Sequence, residues 1–326
     1  MADAPLVAAT HPARSLILLS LSLALAAIAP GASVAQDPLP PADGPPAQLD
    51  LGTAQDRMTV PVSIGSNGPY HFVVDTGAQR TVISRELAGT LGLASGRNVR
   101  LTAMTGTANV GTVVIPMISV STLGGTSIEA PSLESRNLGA PGMLGLDTLQ
   151  GHRLSIDFVK QTMSVIPSTR RNRTTTAAPG EIIVRGKNIF GQLIVSDASY
   201  RGRKVRVILD TGSNVTMGNL ALKRRMGRSA RMAKPISLWD VTGETMQLDY
   251  TQIDTVEFGG ATFNHLPVAF SDAEPFRRFG LIDQPAMLLG MDALRLFQRV
   301  SIDFPNREVR LSGAGYSPLR SHPARR

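Results

Sequence analysis

Between residues 51 and 313 the apolar positions alternate with polar ones over short stretches broken by glycine, the period-two signature of half-buried strands. Met58-Thr59-Val60-Pro61-Val62-Ser63-Ile64 alternates up to a turn at Gly65-Ser66-Asn67-Gly68, after which Tyr70-His71-Phe72-Val73-Val74 begins the next strand. The plan returns downstream in Gly191-Gln192-Leu193-Ile194-Val195 followed by Lys204-Val205-Arg206-Val207-Ile208-Leu209. Glu308-Val309-Arg310-Leu311 alternates again, so Asp303 to Arg307 reads as the turn of a closing hairpin. Helices are expected to be few and short: Glu86 to Leu91, Leu220 to Met226, and segments opening near Asp147 and Asp292.

The pattern is duplicated, and repeats outrank local readings. Phe72-Val73-Val74-Asp75-Thr76-Gly77-Ala78 returns as Val207-Ile208-Leu209-Asp210-Thr211-Gly212-Ser213. Roughly thirty residues after each aspartate come Thr105-Gly106 and Thr242-Gly243. Then Met143-Leu144-Gly145-Leu146-Asp147 matches Leu288-Leu289-Gly290-Met291-Asp292, and Ser155-Ile156-Asp157-Phe158 matches Ser301-Ile302-Asp303-Phe304. Four pieces in one order require duplication of a whole unit. The proline-containing, charged stretch 167–180 has little to bury and suits a linker, which places one lobe at 51–166 and the other at 181–313.

Composition narrows the chemistry. The chain has no cysteine, which excludes disulfides, thiolate nucleophiles and cysteine-held metals, and its five histidines are scattered. Arg14 precedes an apolar run from Ser15 to Ala29, and Ser33-Val34-Ala35 offers small residues for cleavage. Residues 1–35 therefore read as a signal peptide, with an uncleaved membrane anchor as the alternative; 36–50 read as a flexible proline-rich exit and 314–326 as a basic tail. Secretion to a bacterial periplasm or the exterior is the expected localisation. The net charge of +8 gathers around Arg170 to Arg173, in Lys223 to Lys234 and at the C-terminus. A solvated basic face explains it, with electrostatic association with an anionic envelope as the other reading; no nucleic-acid module accompanies it.

A buried strand ending in Asp-Thr-Gly holds a carboxylate at the edge of a core. Glycine permits a tight turn that brings backbone N–H groups to the charge. Two such loops face to face would put Asp75 and Asp210 close enough to share one proton. One could then act as general base on water while the other protonates the scissile carbonyl oxygen. Ser213 carries a hydroxyl where Ala78 has none, so it is expected to donate to Asp210 and make that aspartate the ionised partner.

The chain resembles the retropepsin-like and pepsin-like aspartic proteases, in the two-lobed bacterial retroviral-type form. The resemblance covers 51–313 and rests on both Asp-Thr-Gly-Ala/Ser loops and both hydrophobic-hydrophobic-Gly elements. It implies an all-β fold of two homologous, pseudo-twofold-related β-barrel-like lobes, with Asp75 and Asp210 catalytic. Thr76, Gly77, Ala78, Thr211, Gly212 and Ser213 would support the dyad, and the threonines would interlock beneath it. It also implies a polypeptide substrate, no cofactor or metal, and a site that needs no dimerisation. Thr105-Gly106 and Thr242-Gly243 fall where flap tips belong, although neither hairpin is glycine-rich and no tyrosine stands near the first; an ordinary β-turn is the other reading. Trp239, the only tryptophan, fits either core packing or a substrate pocket, and Met104 and Met246 fit packing or pocket lining. Asp147 and Asp292 are expected to cap short helices, and Asp157 and Asp303 to sit beside hairpin turns. A peptide- or envelope-binding protein with little or no turnover on the same fold remains the alternative function.

Overall fold

The computed structural model describes residues 48–50, 52–54, 57–120, 123–170, 176–189 and 192–314. The expected signal peptide, the exit segment up to residue 47, the middle of the linker and the tail beyond Ala314 lie outside the described residues. Both lobes belong to one compact unit starting at Pro45.

Each lobe closes a six-stranded ring. In the first, Arg57–Ile64 pairs with Asn67–Val74, and the ring continues through Gly142–Leu144, Val82–Ser84, Leu123–Leu133 and Thr107–Val120 back to its start. In the second, Gln192–Tyr200, Arg203–Leu209, Ala286–Leu289, Met217–Gly218, Ala261–Phe270 and Thr245–Phe258 follow the same order. Closure removes the free edges that an open sheet of this length would leave. The duplication read in the sequence is thus a duplication of barrels.

The matching Ser-Ile-Asp-Phe pieces meet. His152–Asp157 runs antiparallel to Phe297–Asp303 with Ser155 opposite Ser301, their hydroxyls 2.9 Å apart. With their hairpin partners and Glu181–Ile189 they form a sheet that joins the lobes. Gln48–Asp50, at the end of the segment expected to be a flexible exit, adds an edge strand along Thr162–Ser164. Three residues suffice because the partner edge supplies the hydrogen bonds.

Four of the six short helices among the described residues fall where the sequence placed them: Arg85–Thr90, Leu146–Leu149, Leu220–Met226 and Met291–Leu294. Ser135–Leu138 and Glu274–Arg278 were not foreseen, since one turn carries no helical periodicity. The capping expectation for Asp147 and Asp292 is corrected. The N-caps are Gly145 and Gly290, and the two carboxylates instead accept hydrogen bonds from Thr81 and Thr216 of the neighbouring loop. Asp157 and Asp303 do sit at hairpin turns, accepting from Val159 and Lys160 and from Asn306 respectively. No helix among the described residues is long and apolar enough to cross a membrane.

Candidate active site

The strand leading to Asp75 grades from exposed to sealed: Asn67 and Gly68 face solvent, whereas Phe72, Val73 and Val74 are wholly buried. Arg203–Leu209 grades the same way towards Asp210. Burying each such apolar side chain contributes about 1.5–3 kcal/mol, which helps offset the cost of carrying a carboxylate inward. Asp75 is 8% exposed and Asp210 4%.

The hydrophobic-hydrophobic-Gly strand then locks each loop from behind. Val73-Val74 lies parallel to Met143-Leu144, and Ile208-Leu209 parallel to Leu288-Leu289. Asp75 N–H donates to the Leu144 carbonyl at 2.9 Å and Asp210 N–H to that of Leu289 at 3.0 Å. A Cβ on Gly290 would stand 2.7 Å from the Val215 carbonyl carbon, and one on Gly145 would strike the Arg80 backbone. Glycine is required at both by this close approach. The Thr81 and Thr216 hydroxyls complete the support by accepting from Gly145 and Gly290 N–H.

Beneath the aspartates the two threonines interlock. Thr76 Oγ1 donates to the Leu209 carbonyl at 2.9 Å and accepts from Thr211 N–H at 3.1 Å; Thr211 Oγ1 donates to the Val74 carbonyl at 2.7 Å and accepts from Thr76 N–H at 3.0 Å. Thr211 is wholly buried and Thr76 nearly so. Each lobe's loop is therefore held by backbone groups of the other lobe.

This arrangement sets the two carboxyl groups against each other, within hydrogen-bonding reach. A Cβ on Gly77 would lie 2.7 Å from Asp210 Oδ1, and one on Gly212 would overlap the Asp75 carboxylate. The sequence reading gave these glycines a turn; what they supply is space for the opposing carboxylate. Asp75 Oδ1 accepts from Gly77 N–H at 2.8 Å and Ala78 N–H at 3.0 Å, and Asp210 Oδ1 from Gly212 N–H at 3.1 Å.

Burial raises the pKa of both groups. Asp210 is pushed up to about 8, by burial first and by the charge of Asp75 second. Asp75 is raised by burial but pulled back by the Gly77 and Ala78 N–H groups, by Arg57 and by its hydrogen bond to Asp210. Both carboxyl groups therefore hold a proton to higher pH than a free carboxylate, and the pair shares one between them; the sequence expectation that the Ser213 hydroxyl donates to Asp210 is not met. The reason is local: Ser213 Oγ donates to the Val215 carbonyl at 2.9 Å and accepts from Val215 N–H, closing its own turn. Ser213→Ala is accordingly expected to leave the dyad's pH–rate profile in place, a point that stopped-assay rates across pH will check.

Arg57 is the residue the sequence reading missed. It opens the first barrel strand, is only 8% exposed, donates to the Leu138 carbonyl and lies within electrostatic reach of both aspartates. The available signal was a charge at the buried head of an alternating strand. Its positive charge lowers both dyad pKa values. Arg57→Met is expected to shift both limbs of the pH–rate profile upwards, read from kcat/KM against pH with folding checked by circular dichroism; an unmoved profile would remove Arg57 from the site.

Ala103, Thr105 and Gly106 of one tip and Val241, Thr242, Gly243 and Glu244 of the other border a groove of about 740 Å³ together with Val110, Leu133 and Asn137, and neither Asp75 nor Asp210 lines it. Trp239 stands on its rim at 75% exposure, so the core-packing alternative falls. Met104 packs on the second lobe's cluster around Ile208, Leu248 and Phe276, and Met246 on the same cluster. Among the described residues no group of three or more acidic or histidine side chains is placed to hold a metal.

Comparison with protein families divides the chain as the geometry does. Residues 60–151 match the model described as gag-polyprotein putative aspartyl protease, and residues 196–293 match the model described as aspartyl protease. Each match contains one Asp-Thr-Gly loop and its hydrophobic-hydrophobic-Gly strand. The chain belongs to the retropepsin-like aspartic proteases, in a two-lobed form. No curated protein matches the chain. In this chain the two loops that meet at the threonine interlock come from one polypeptide, so the facing of Asp75 and Asp210 is an intramolecular matter.

Proposed function

We propose that the protein is an aspartic endopeptidase that hydrolyses peptide bonds in extended polypeptides. The observation that carries this reading is the pairing of Asp75 and Asp210, one from each barrel, with each carboxylate set against the other's Asp-Thr-Gly loop. Ionised Asp75 takes a proton from a water molecule as its oxygen attacks the scissile carbonyl carbon, and Asp210 gives its proton to the carbonyl oxygen. In the collapse of the resulting gem-diol, Asp75 passes its proton to the departing nitrogen, the C–N bond breaks, and a diol proton returns to Asp210. No covalent intermediate and no cofactor enter the scheme, and the two tips supply backbone edges for an extended chain.

The same scheme predicts activity lost at high pH as Asp210 gives up its proton near pH 8, and lost at low pH as Asp75 gains one. Cleavage profiling with casein and a mixed peptide library is the direct test. Internal cleavage, inhibited by a peptide bearing a tetrahedral hydroxyl in place of the scissile carbonyl, supports the reading. Absence of any product between about pH 3 and about pH 8 would return the chain to a peptide-binding role.

We infer further that the chain is exported, on the strength of the Arg14-led apolar segment and the Ser33-Val34-Ala35 site. Exposed Arg224, Arg225, Arg228 and Lys234 form a basic stretch suited to an anionic envelope. Fractionation of expressing cells, with N-terminal sequencing of the product, tests the export.

A further inference from the structure

The two hairpin tips are exchanged between lobes. Aligning Ala103-Met104-Thr105-Gly106 with Asp240-Val241-Thr242-Gly243 puts Met104 and Val241 at equivalent positions. Met104, from the first lobe, packs on the second lobe's cluster, whereas Val241, from the second, packs on the first lobe's cluster around Val73, Leu133 and Met143. The Met104 carbonyl also accepts from Glu274 N–H at 3.0 Å, and Arg278 on the same second-lobe helix donates to Thr102 Oγ1 at 3.2 Å.

One carboxylate joins the tips. Asp240 Oδ2 accepts from Thr105 N–H at 3.1 Å and from Thr105 Oγ1 at 2.5 Å, across the lobes. Its Oδ1 accepts from Thr242 N–H at 2.8 Å and Thr242 Oγ1 at 2.6 Å, within its own tip. Asp240 is 6% exposed although its neighbour Trp239 is largely in solvent. The equivalent first-lobe residue is Ala103, which has no group to offer in return. The fastening is therefore one-sided, a break in the pseudo-twofold symmetry that the apolar contacts respect.

We propose that Asp240 is a positioning residue that fastens the two tips to each other beside the groove they border and so sets how tightly an extended polypeptide is held there. The proposal rests on the endopeptidase reading for its consequence, but not for the fastening itself. An ionised acceptor with four donors makes charge-assisted hydrogen bonds, stronger than neutral ones. A closed arrangement populated only part of the time weakens apparent affinity in proportion to the closed fraction. Loss of the fastening should therefore appear in KM before kcat, since saturating substrate restores closure.

The test compares the wild-type chain with Asp240→Asn, Thr105→Ala and Thr105→Ser by hydrogen–deuterium exchange and by peptide cleavage. Asparagine preserves the shape of Asp240 but replaces one acceptor by a donor facing donors, and Thr105→Ala removes a single hydroxyl from a tip, which cannot unfold a barrel. Expected are amide exchange across 103–106 and a KM each raised roughly tenfold in Asp240→Asn, smaller increases of both in Thr105→Ala, recovery in Thr105→Ser, and kcat little changed. Unaltered exchange across 103–106 in both Asp240→Asn and Thr105→Ala overturns the proposal, whatever the activity. Faster exchange in a chain whose wild type cleaves nothing leaves the fastening standing and removes the peptidase reading.

Discussion

Asp75→Asn and Asp210→Asn are each expected to lower peptide cleavage by roughly 10³- to 10⁴-fold in a protein that remains fully folded. The Asp75 amide cannot take the proton of attacking water, and the Asp210 amide cannot give one to the carbonyl oxygen. Equal loss from either substitution is the mark of a dyad acting as a unit. The stability readout runs in the opposite direction. The pKa of Asp210 is raised from an ordinary 3.8 to about 8, so its contribution to stability is complete below the ordinary value and is lost as pH rises through about 8. The wild type should lose thermal stability as pH rises from about 4 to about 8, and Asp210→Asn should show a flatter curve. Retained hydrolysis in either variant would contradict the assignment, and a steep curve in Asp210→Asn would place the titrating group elsewhere.

The second large effect belongs to the threonine interlock. Thr211→Val keeps the volume but removes the donor to the Val74 carbonyl and the acceptor for Thr76 N–H, both in a region closed to water. Leaving a buried polar group without its partner costs about 1–3 kcal/mol, so the two losses together should destabilise the fold by roughly 2–5 kcal/mol. Urea unfolding will measure this as a lower midpoint. Activity should fall further than the unfolded fraction explains, because the same bonds hold one lobe's aspartate loop against the other's. Thr211→Ser keeps Oγ and should recover most of both. A valine variant with wild-type stability would mean the lobes are held together by the joining sheet alone.

Much of this architecture was legible because it is written locally and written twice. Alternation marked the barrel strands around Met58 and Lys204, and the repeated Asp-Thr-Gly loops pointed to a paired site before any contact was known. The edges of the fold were less legible. Gln48–Asp50 becomes a strand only because Thr162–Ser164 offers it a partner, and the single-turn helix Glu274–Arg278 is too short to leave a periodic trace.

At the site, residue type alone proved a poor guide to which atom a polar group serves. The Ser213 hydroxyl was matched to the nearest carboxylate in sequence, but the backbone of its own turn lies closer. Arg57 stands far along the chain from Asp210 and reaches both aspartates only because the first barrel strand, which it opens, lies antiparallel to the strand that leads to Asp75.

The sequence by itself determined the two-barrel plan, the duplicated loops and the identity of the paired carboxylates, because strand period and motif order need only neighbouring residues to be expressed. Tertiary structure alone decided what the Ser213 hydroxyl serves, why the loop glycines are required, and that Asp240 joins the hairpin tips. The last two depend on burial and on approach between lobes separated by over a hundred residues of chain, and no local pattern of side chains records a distance of that kind.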